Sequence, residues 1–200
     1  MAFATIDVTK GITGTIPVAN GGTGLASGTT GQFLKFTGST TVASAAVSAG
    51  ITEADQFRLT TSFSGSSNPI TSNWERNDTV FDKIGTGMSE SSGIYTFPST
   101  GIYKVEFLIL SNKSGGTSQY SAAKINITTD NSSYTERATG YSNVALDGAW
   151  SGAYVQTNID VTDTANVKVQ FGVVNQSVTD FIGNTNANKT TVTFTRLGDT

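Results

Sequence analysis

Residues 101–110 read GIYKVEFLIL. Tyr103, Val105, Phe107 and Ile109 fall on one side of an extended chain, and Lys104 and Glu106 on the other. Successive side chains of a strand point to opposite faces, so this alternation marks a strand with one face buried. The pattern recurs in ANVKVQFGV, residues 165–173. There Val167, Val169, Phe171 and Val173 take the buried side, while Asn166, Lys168 and Gln170 take the other. Val155, Ile159 and Val161 repeat it, as do Ile125 with Ile127 and Val192 with Phe194. Turn formers separate these runs, as at Asp130-Asn131-Ser132-Ser133 and Gly183-Asn184. Many short strands of period two, with no helical stripe, predict an all-β antiparallel sandwich or jelly roll from about residue 57 onward.

Composition agrees. Charged residues are 14% of the 200-residue chain, against roughly 25% in ordinary soluble domains. Thr, Ser, Asn and Gly take their place, residues that favour strands and turns over helices. The chain has no Cys and no His, which removes disulfides, Ser–His and Cys–His catalysis and His-bound zinc. Net charge is −3 with no basic run, so no nucleic-acid partner is expected. Asp78 with Asp82, and Asp160 with Asp163, are the nearest to paired carboxylates. They lack the spacing of a calcium loop and read as turn residues. No catalytic residue, metal site or cofactor is expected. The longest strongly apolar run, Phe107 to Leu110, is far too short for membrane insertion. Residues 1–11, MAFATIDVTKG, have neither the basic nor the apolar region of a secretory signal.

Residues 1–55 have a different composition. Gly, Thr, Ala and Ser dominate, with isolated Ile12, Ile16, Val18 and Leu25. QFLKF, residues 32–36, is the one firm alternating piece, and a short helix fits residues 43–55. Such a segment cannot bury enough surface to offset chain entropy by itself. It is either a disordered tail or a segment ordered alongside identical copies. Within it lies GTIPVANGGTG, residues 14–24. Glycine-rich loops cradle phosphates, but this one has neither a Gly-Lys-Ser/Thr ending nor a helix pattern after it.

Two resemblances extend this reading. FDKIGTGMSESSGIYTFPSTGIYKVEF, residues 81–107, resembles the signature of the jelly-roll heads shared by complement component 1q and tumour-necrosis-factor-like proteins, at Gly93, Tyr95, Phe97, Pro98, Gly101 and Tyr103. DVTDTANVKV (160–169) and the closing TVTFTRL (191–197) are similar to later family segments and follow in the same order. Val105, Phe107, Val167, Val169, Phe171, Phe194 and Leu197 complete the expected core. Pro98 cannot donate to a ladder and should end a strand. Gly101 should permit a tight reversal, so that Phe97 and Tyr103 bracket one hairpin and face one core. The family resemblance implies a homotrimer with three N-terminal segments side by side.

The second resemblance is more specific. PVANGGTG, residues 17–24, resembles a motif of bacteriophage tail-fibre and related virion fibre proteins, and GTTGQFLKF (28–36) resembles the segment that follows it. This implies an extended stalk and virion anchor over 1–55, in which Ile16, Pro17, Val18, Asn20, Gly21, Gly22, Thr23 and Gly24 contact phage tail or capsid proteins. Residues 56–200 would be a knob, and the protein would sit on the virion after synthesis in the host cytoplasm. The knob's partner would be a host-surface glycan or protein; Trp74, Trp150 and Tyr154 are the candidates for sugar stacking, although core or trimer-interface packing is the preferred reading of large aromatic rings. Other readings are a small capsid-bound fibre whose knob is mainly a trimerisation clamp, or a non-viral secreted module of the tumour-necrosis-factor type. A capsule-degrading enzyme would require carboxylates paired in a groove.

Overall fold

The computed structural model describes residues 29–39, 41–46 and 50–200. In chain order its strands are β1 (Phe33–Phe36), β2 (Val42–Ala45), β3 (Ala54–Leu59), β4 (Phe63–Ser64), β5 (Trp74–Arg76), β6 (Lys83–Ile84), β7 (Ser89–Ser91) and β8 (Ile94–Thr96). They continue as β9 (Gly101–Asn112), β10 (Ser118–Thr128), β11 (Thr135–Val144), β12 (Trp150–Val161), β13 (Lys168–Asn175), β14 (Asp180–Phe181) and β15 (Thr191–Gly198). No helix occurs among the described residues. The chain divides into two units between Gly50 and Ile51. In the first, β1 and β2 form an antiparallel hairpin with Phe33 opposite Ala45.

The second unit is a sandwich of two antiparallel sheets. One sheet runs β11-β10-β13-β8-β7. The other is built around β9, which pairs with β12 on one edge and with β15 and β14 on the other; β15 leads on to β3, and β3 to β5 and β6. The period-two pattern of the sequence fills the space between them. Val105, Phe107, Ile109, Val155, Ile159, Val192 and Phe194 from the eight-stranded sheet meet Tyr95, Ile125, Ile127, Val169, Phe171 and Val173 from the five-stranded one. Tyr95 stands at the centre, its ring 5.1 Å from Phe57 and 5.3 Å from both Phe171 and Phe194. The contacts with Phe57 and Phe171 are edge-on and that with Phe194 is tilted, and such arrangements add to the burial of large rings.

Four expectations need correction. Phe97 and Tyr103 do pack against each other, with centroids 4.8 Å apart, but they do not bracket a hairpin. β8 belongs to the five-stranded sheet and β9 to the eight-stranded one, so residues 97–100 carry the chain from one sheet to the other. Pro98 has no N–H with which to extend the β8 ladder. Gly101, with φ of 137°, lets β9 start where a Cβ would stand 2.5 Å from Arg196 Nε and the Gly198 carbonyl. The hairpin lies one step earlier, between β7 and β8, where Ser92 (φ 53°) and Gly93 (φ 79°) make a two-residue turn of the kind matched to strand twist.

Leu197, expected in the core, is 57% exposed. It lies three residues beyond the inward Phe194, which is the opposite face of a strand, and a bulge separates Arg196 from Gly198. Among the described residues of the segment 43–55 no helix forms: Val42–Ala45 is β2, and Ala54 and Asp55 open β3. Asp55 is buried inside the sandwich, not in the stalk to which residues 1–55 were allotted. It accepts hydrogen bonds from Arg76 Nε at 3.0 Å and from the Met88 N–H at 2.7 Å. A buried carboxylate needs such partners to offset its desolvation.

The sandwich has two distinct ends. At one, Gly101 faces Val161 and Ala54 faces Thr195, so this unit's chain begins and finishes there. At the other, Asn112 faces both Trp150 and Asp180. Strands of this length set the two ends about 35–40 Å apart.

Candidate functional site

Two outward surfaces of the second unit carry the features relevant to function. The first is the outer face of the eight-stranded sheet. Because Val105, Phe107 and Ile109 point inward, Lys104, Glu106, Leu108 and Leu110 point outward. Leu108 stands opposite Tyr154 on β12 and Thr191 on β15. Leu108 is 40% exposed and Tyr154 51%. With Gln56, Glu106 and Thr193 they line a shallow depression of about 220 Å³. Gln56 also lines a neighbouring one of about 350 Å³, bordered by Arg58, Asn77, Val80, Phe81, Asn186, Ala187 and Asn188.

The charges beside Leu108 neutralise each other. Lys104 Nζ lies 2.8 Å from Glu106 Oε1. The Tyr154 hydroxyl donates to the same carboxylate and stands 3.0 Å from Gln156 Oε1. Partial burial pushes Glu106 up, but hydrogen bonds from Lys104 and Tyr154 bring it below its ordinary value. Desolvation, then the adjoining Glu106 carboxylate, pushes Tyr154 up to about 12. Arg58, also on this face, is buried. Its guanidinium bonds Asn77 Oδ1 at 3.1 Å, Glu75 Oε1 at 3.3 Å and Asp78 Oδ1 at 3.5 Å, which ties the segment after β5 to the sheet.

The second surface is the end opposite the chain's entry. Three loops are joined there. The Gly148 N–H donates to the Lys113 carbonyl at 2.7 Å, Lys113 Nζ to the Val178 carbonyl at 2.9 Å, and the Gly115 N–H to Asp147 Oδ1 at 2.7 Å. The backbone N–H groups of Gly116 and Gly115 hold the Asp147 carboxyl below its ordinary value. Leu146, Val178 and Trp150 are exposed around these loops. Fixed loops present such side chains without a large ordering cost on binding.

The three aromatic residues singled out in the sequence are therefore not one site. Trp74 is a packing residue: its Nε1–H donates to the Ile70 carbonyl at 3.1 Å, and its ring packs on Tyr95, Phe107 and Phe171. Trp150 is 62% exposed at the loop end. Tyr154 lies four residues further along the same face of β12, roughly 13 Å away. Asp78 binds Arg58, and Asp163 accepts from the Ala165 N–H at 2.8 Å and Asn166 Nδ2 at 2.7 Å, as turn carboxylates do. Among the described residues no group of three or more His, Cys, Asp or Glu side chains is gathered as for a metal. Ile16, Pro17, Val18, Asn20, Gly21, Gly22, Thr23 and Gly24 lie outside the described residues.

One exposed aromatic pair has no counterpart in the sequence reading. Tyr120 on β10 and Tyr141 on β11 stand with ring centroids 6.0 Å apart on the outer face of the five-stranded sheet. They are 21 residues apart in the chain, and only the β10–β11 register brings them together.

The chain matches no family model, and no curated protein matches it in sequence. Solved structures do match. Eiger TNF from S. frugiperda superposes with a TM-score of 0.58 at 12% identity, over 76% of this chain and 96% of that one. Murine APRIL, in its structure at pH 5.0, superposes with a TM-score of 0.55 at 10% identity, over 72% of this chain and 98% of that one. The fold is a tumour-necrosis-factor-like jelly roll. The jelly roll accounts for the two sheets and the crossover at Pro98, and identity this low carries nothing further.

Proposed function

We propose that this chain is a homotrimeric structural protein of a bacteriophage virion. Residues 1–50 attach it to tail or capsid proteins, and residues 51–200 form a knob that adheres to a glycan or protein of the host surface. It is not an enzyme. The observation that carries the reading is the division of the jelly roll's two ends. The chain enters and leaves at one end, while the hydrogen-bonded loops with Leu146, Trp150 and Val178 lie at the other. A domain tethered at one end and exposing apolar side chains at the far end suits display from a particle.

Three further features support it. PVANGGTG at residues 17–24 resembles the virion-fibre motif. The β1–β2 hairpin exposes Phe33, Leu34 and Phe36, and two strands alone cannot bury them; identical copies side by side can. Around Leu108 the outer face of the eight-stranded sheet offers uncharged Gln56, Tyr154, Thr191 and Thr193, with Lys104 and Glu106 paired beside them. Identical patches meeting around a three-fold axis do not repel where the patch carries no net charge. Three weak sites on one trimer then gain by avidity.

Deleting residues 1–50 tests this reading. The truncated protein should be a folded trimer in sedimentation experiments and should be missing from purified virions. Retained incorporation, seen by antibody-labelled electron microscopy, would overturn the anchor, and a monomer at micromolar concentration would overturn the trimer.

A further inference from the structure

The outer face of the five-stranded sheet is not needed for the proposed assembly, yet it is not featureless. Tyr141 is 66% exposed and Tyr120 37%. Their rings meet at 79°, edge toward face, so they form two walls of a shelf rather than a flat stack. The shelf is fixed from below. Ala122, directly opposite Tyr141, is buried between β11 and β13. The Tyr120 carbonyl accepts from the Gln176 N–H at 3.1 Å, and Gln176 Oε1 accepts from the Gln119 N–H at 3.2 Å.

The next outward pair along these strands is Lys124 opposite Thr139, about 7 Å further on. Lys124 Nζ lies 2.6 Å from Glu136 Oε2, and the Thr139 hydroxyl donates to the other oxygen of that carboxylate. Two apolar ring faces thus stand beside a compact polar group with no net charge.

That combination selects one kind of occupant. Two rings bordered by an ion pair supply far less apolar area than the roughly 800 Å² per partner of a stable protein interface, so a second copy does not fit. An anionic ligand or lipid surface needs an uncommitted cation at the shelf: Lys124 is engaged by Glu136, and the next cation, Arg137, lines a separate depression with Thr157, Asn158 and Asp160. A sugar ring fits: its C–H faces are apolar and its rim carries hydroxyls that both donate and accept. Sites of this kind place a few polar groups beside aromatic walls.

We propose that Tyr120 and Tyr141 form the stacking platform for a neutral sugar residue of a glycan, with Glu136 and Thr139 as its hydrogen-bonding rim. The biological use of this site rests on the reading of the jelly roll as an outward knob, while the site itself belongs to the second unit alone.

The test uses the full-length protein on an array of neutral, sialylated and sulfated oligosaccharides, followed by calorimetric titration of the best neutral one. Binding to neutral members is expected. Tyr141→Ala should weaken it by at least about tenfold, as truncation of a central aromatic contact does, and Tyr141→Phe should keep it within about threefold, because the ring face and not the hydroxyl is used. Both variants should melt like the parent, since the side chain is exposed. Binding to no member, binding confined to acidic members, or an unchanged affinity in Tyr141→Ala overturns the proposal. Virions carrying Tyr141→Ala should still incorporate the protein. Lost sugar binding with intact incorporation therefore bears on this site alone, whereas failure of the residue 1–50 deletion bears on the anchor.

Discussion

The two outward faces of the sandwich are made from the same kind of strand and differ in what they expose. The eight-stranded face is broad and shallowly grooved, with Leu108, Tyr154 and a row of threonines on β15. The five-stranded face concentrates its exposed rings in one pair, Tyr120 and Tyr141. A broad face whose centre, around Leu108 and Tyr154, carries no net charge suits a partner of equal size and identical sequence. A small aromatic shelf suits a small ligand. Whether a face binds another copy or a ligand thus depends on how its apolar area is distributed more than on how much there is.

The sharpest way to break this comparison is to charge each face in turn. Leu108→Asp should convert the proposed trimer fully to monomer in sedimentation equilibrium, because three like charges would be brought together on an apolar contact. Tyr141→Asp should leave it trimeric. The opposite outcome would exchange the roles of the two faces.

A smaller effect concerns stability, which the comparison assigns to the interior and to neither face. Trp74→Ala, which removes a ring packed on Tyr95, Phe107 and Phe171, should cost about 3 kcal/mol or more. Trp150→Ala at the exposed loop end should change stability by no more than about 0.5 kcal/mol. Denaturant titration of both variants separates the cases, and equal losses would mean that Trp150 is a packing residue as well.

The smallest effect is in pH dependence. Glu106 and Glu136 are both held below their ordinary value in the folded state, Glu106 by bonds that outweigh its burial and Glu136 by its bond to Lys124 first and Thr139 second. Their stabilisation is present above the unfolded carboxylate value of about 4.3 and fades as pH falls through the lower folded value. Tyr154 runs the other way. Raised to about 12, it contributes fully below its unfolded value of about 10 and loses that contribution as pH climbs through about 12. Folding stability should therefore fall at both extremes, while sugar binding at the Glu136 rim shares only the acid limit. A fold that weakens in alkali with Tyr154→Phe as strongly as with the parent would remove the role given to that hydroxyl.

Much of the interior was legible in residue order, for a physical reason. Alternation is a local property, so Val105, Phe107, Val169 and Phe171 could be assigned to a buried face without knowing what they bury against. Trp74 was not legible in the same way. It lies in a three-residue strand, too short for a period to show, so packing, the preferred reading, and sugar stacking both stay open until the structure places it as a core ring. Leu197 was missed because a bulge and an odd spacing from Phe194 turn it outward. Asp55 looked like the end of the stalk because its ion pair is with Arg76, 21 residues away. The Tyr120–Tyr141 pair was invisible because neither residue is unusual until β10 and β11 set their register.

By itself the sequence determined that this chain is all-β, that it has no histidine or cysteine chemistry, and that its strands bury one face each. Composition and period are local, and the hydrophobic effect reads them strand by strand. Only the tertiary structure decided which strands share a sheet, that the chain crosses sheets at Pro98 instead of turning back, and which aromatic rings point to solvent. Those outcomes depend on pairing between residues distant in the chain, and there a one-residue change of register moves a side chain from the core to the surface.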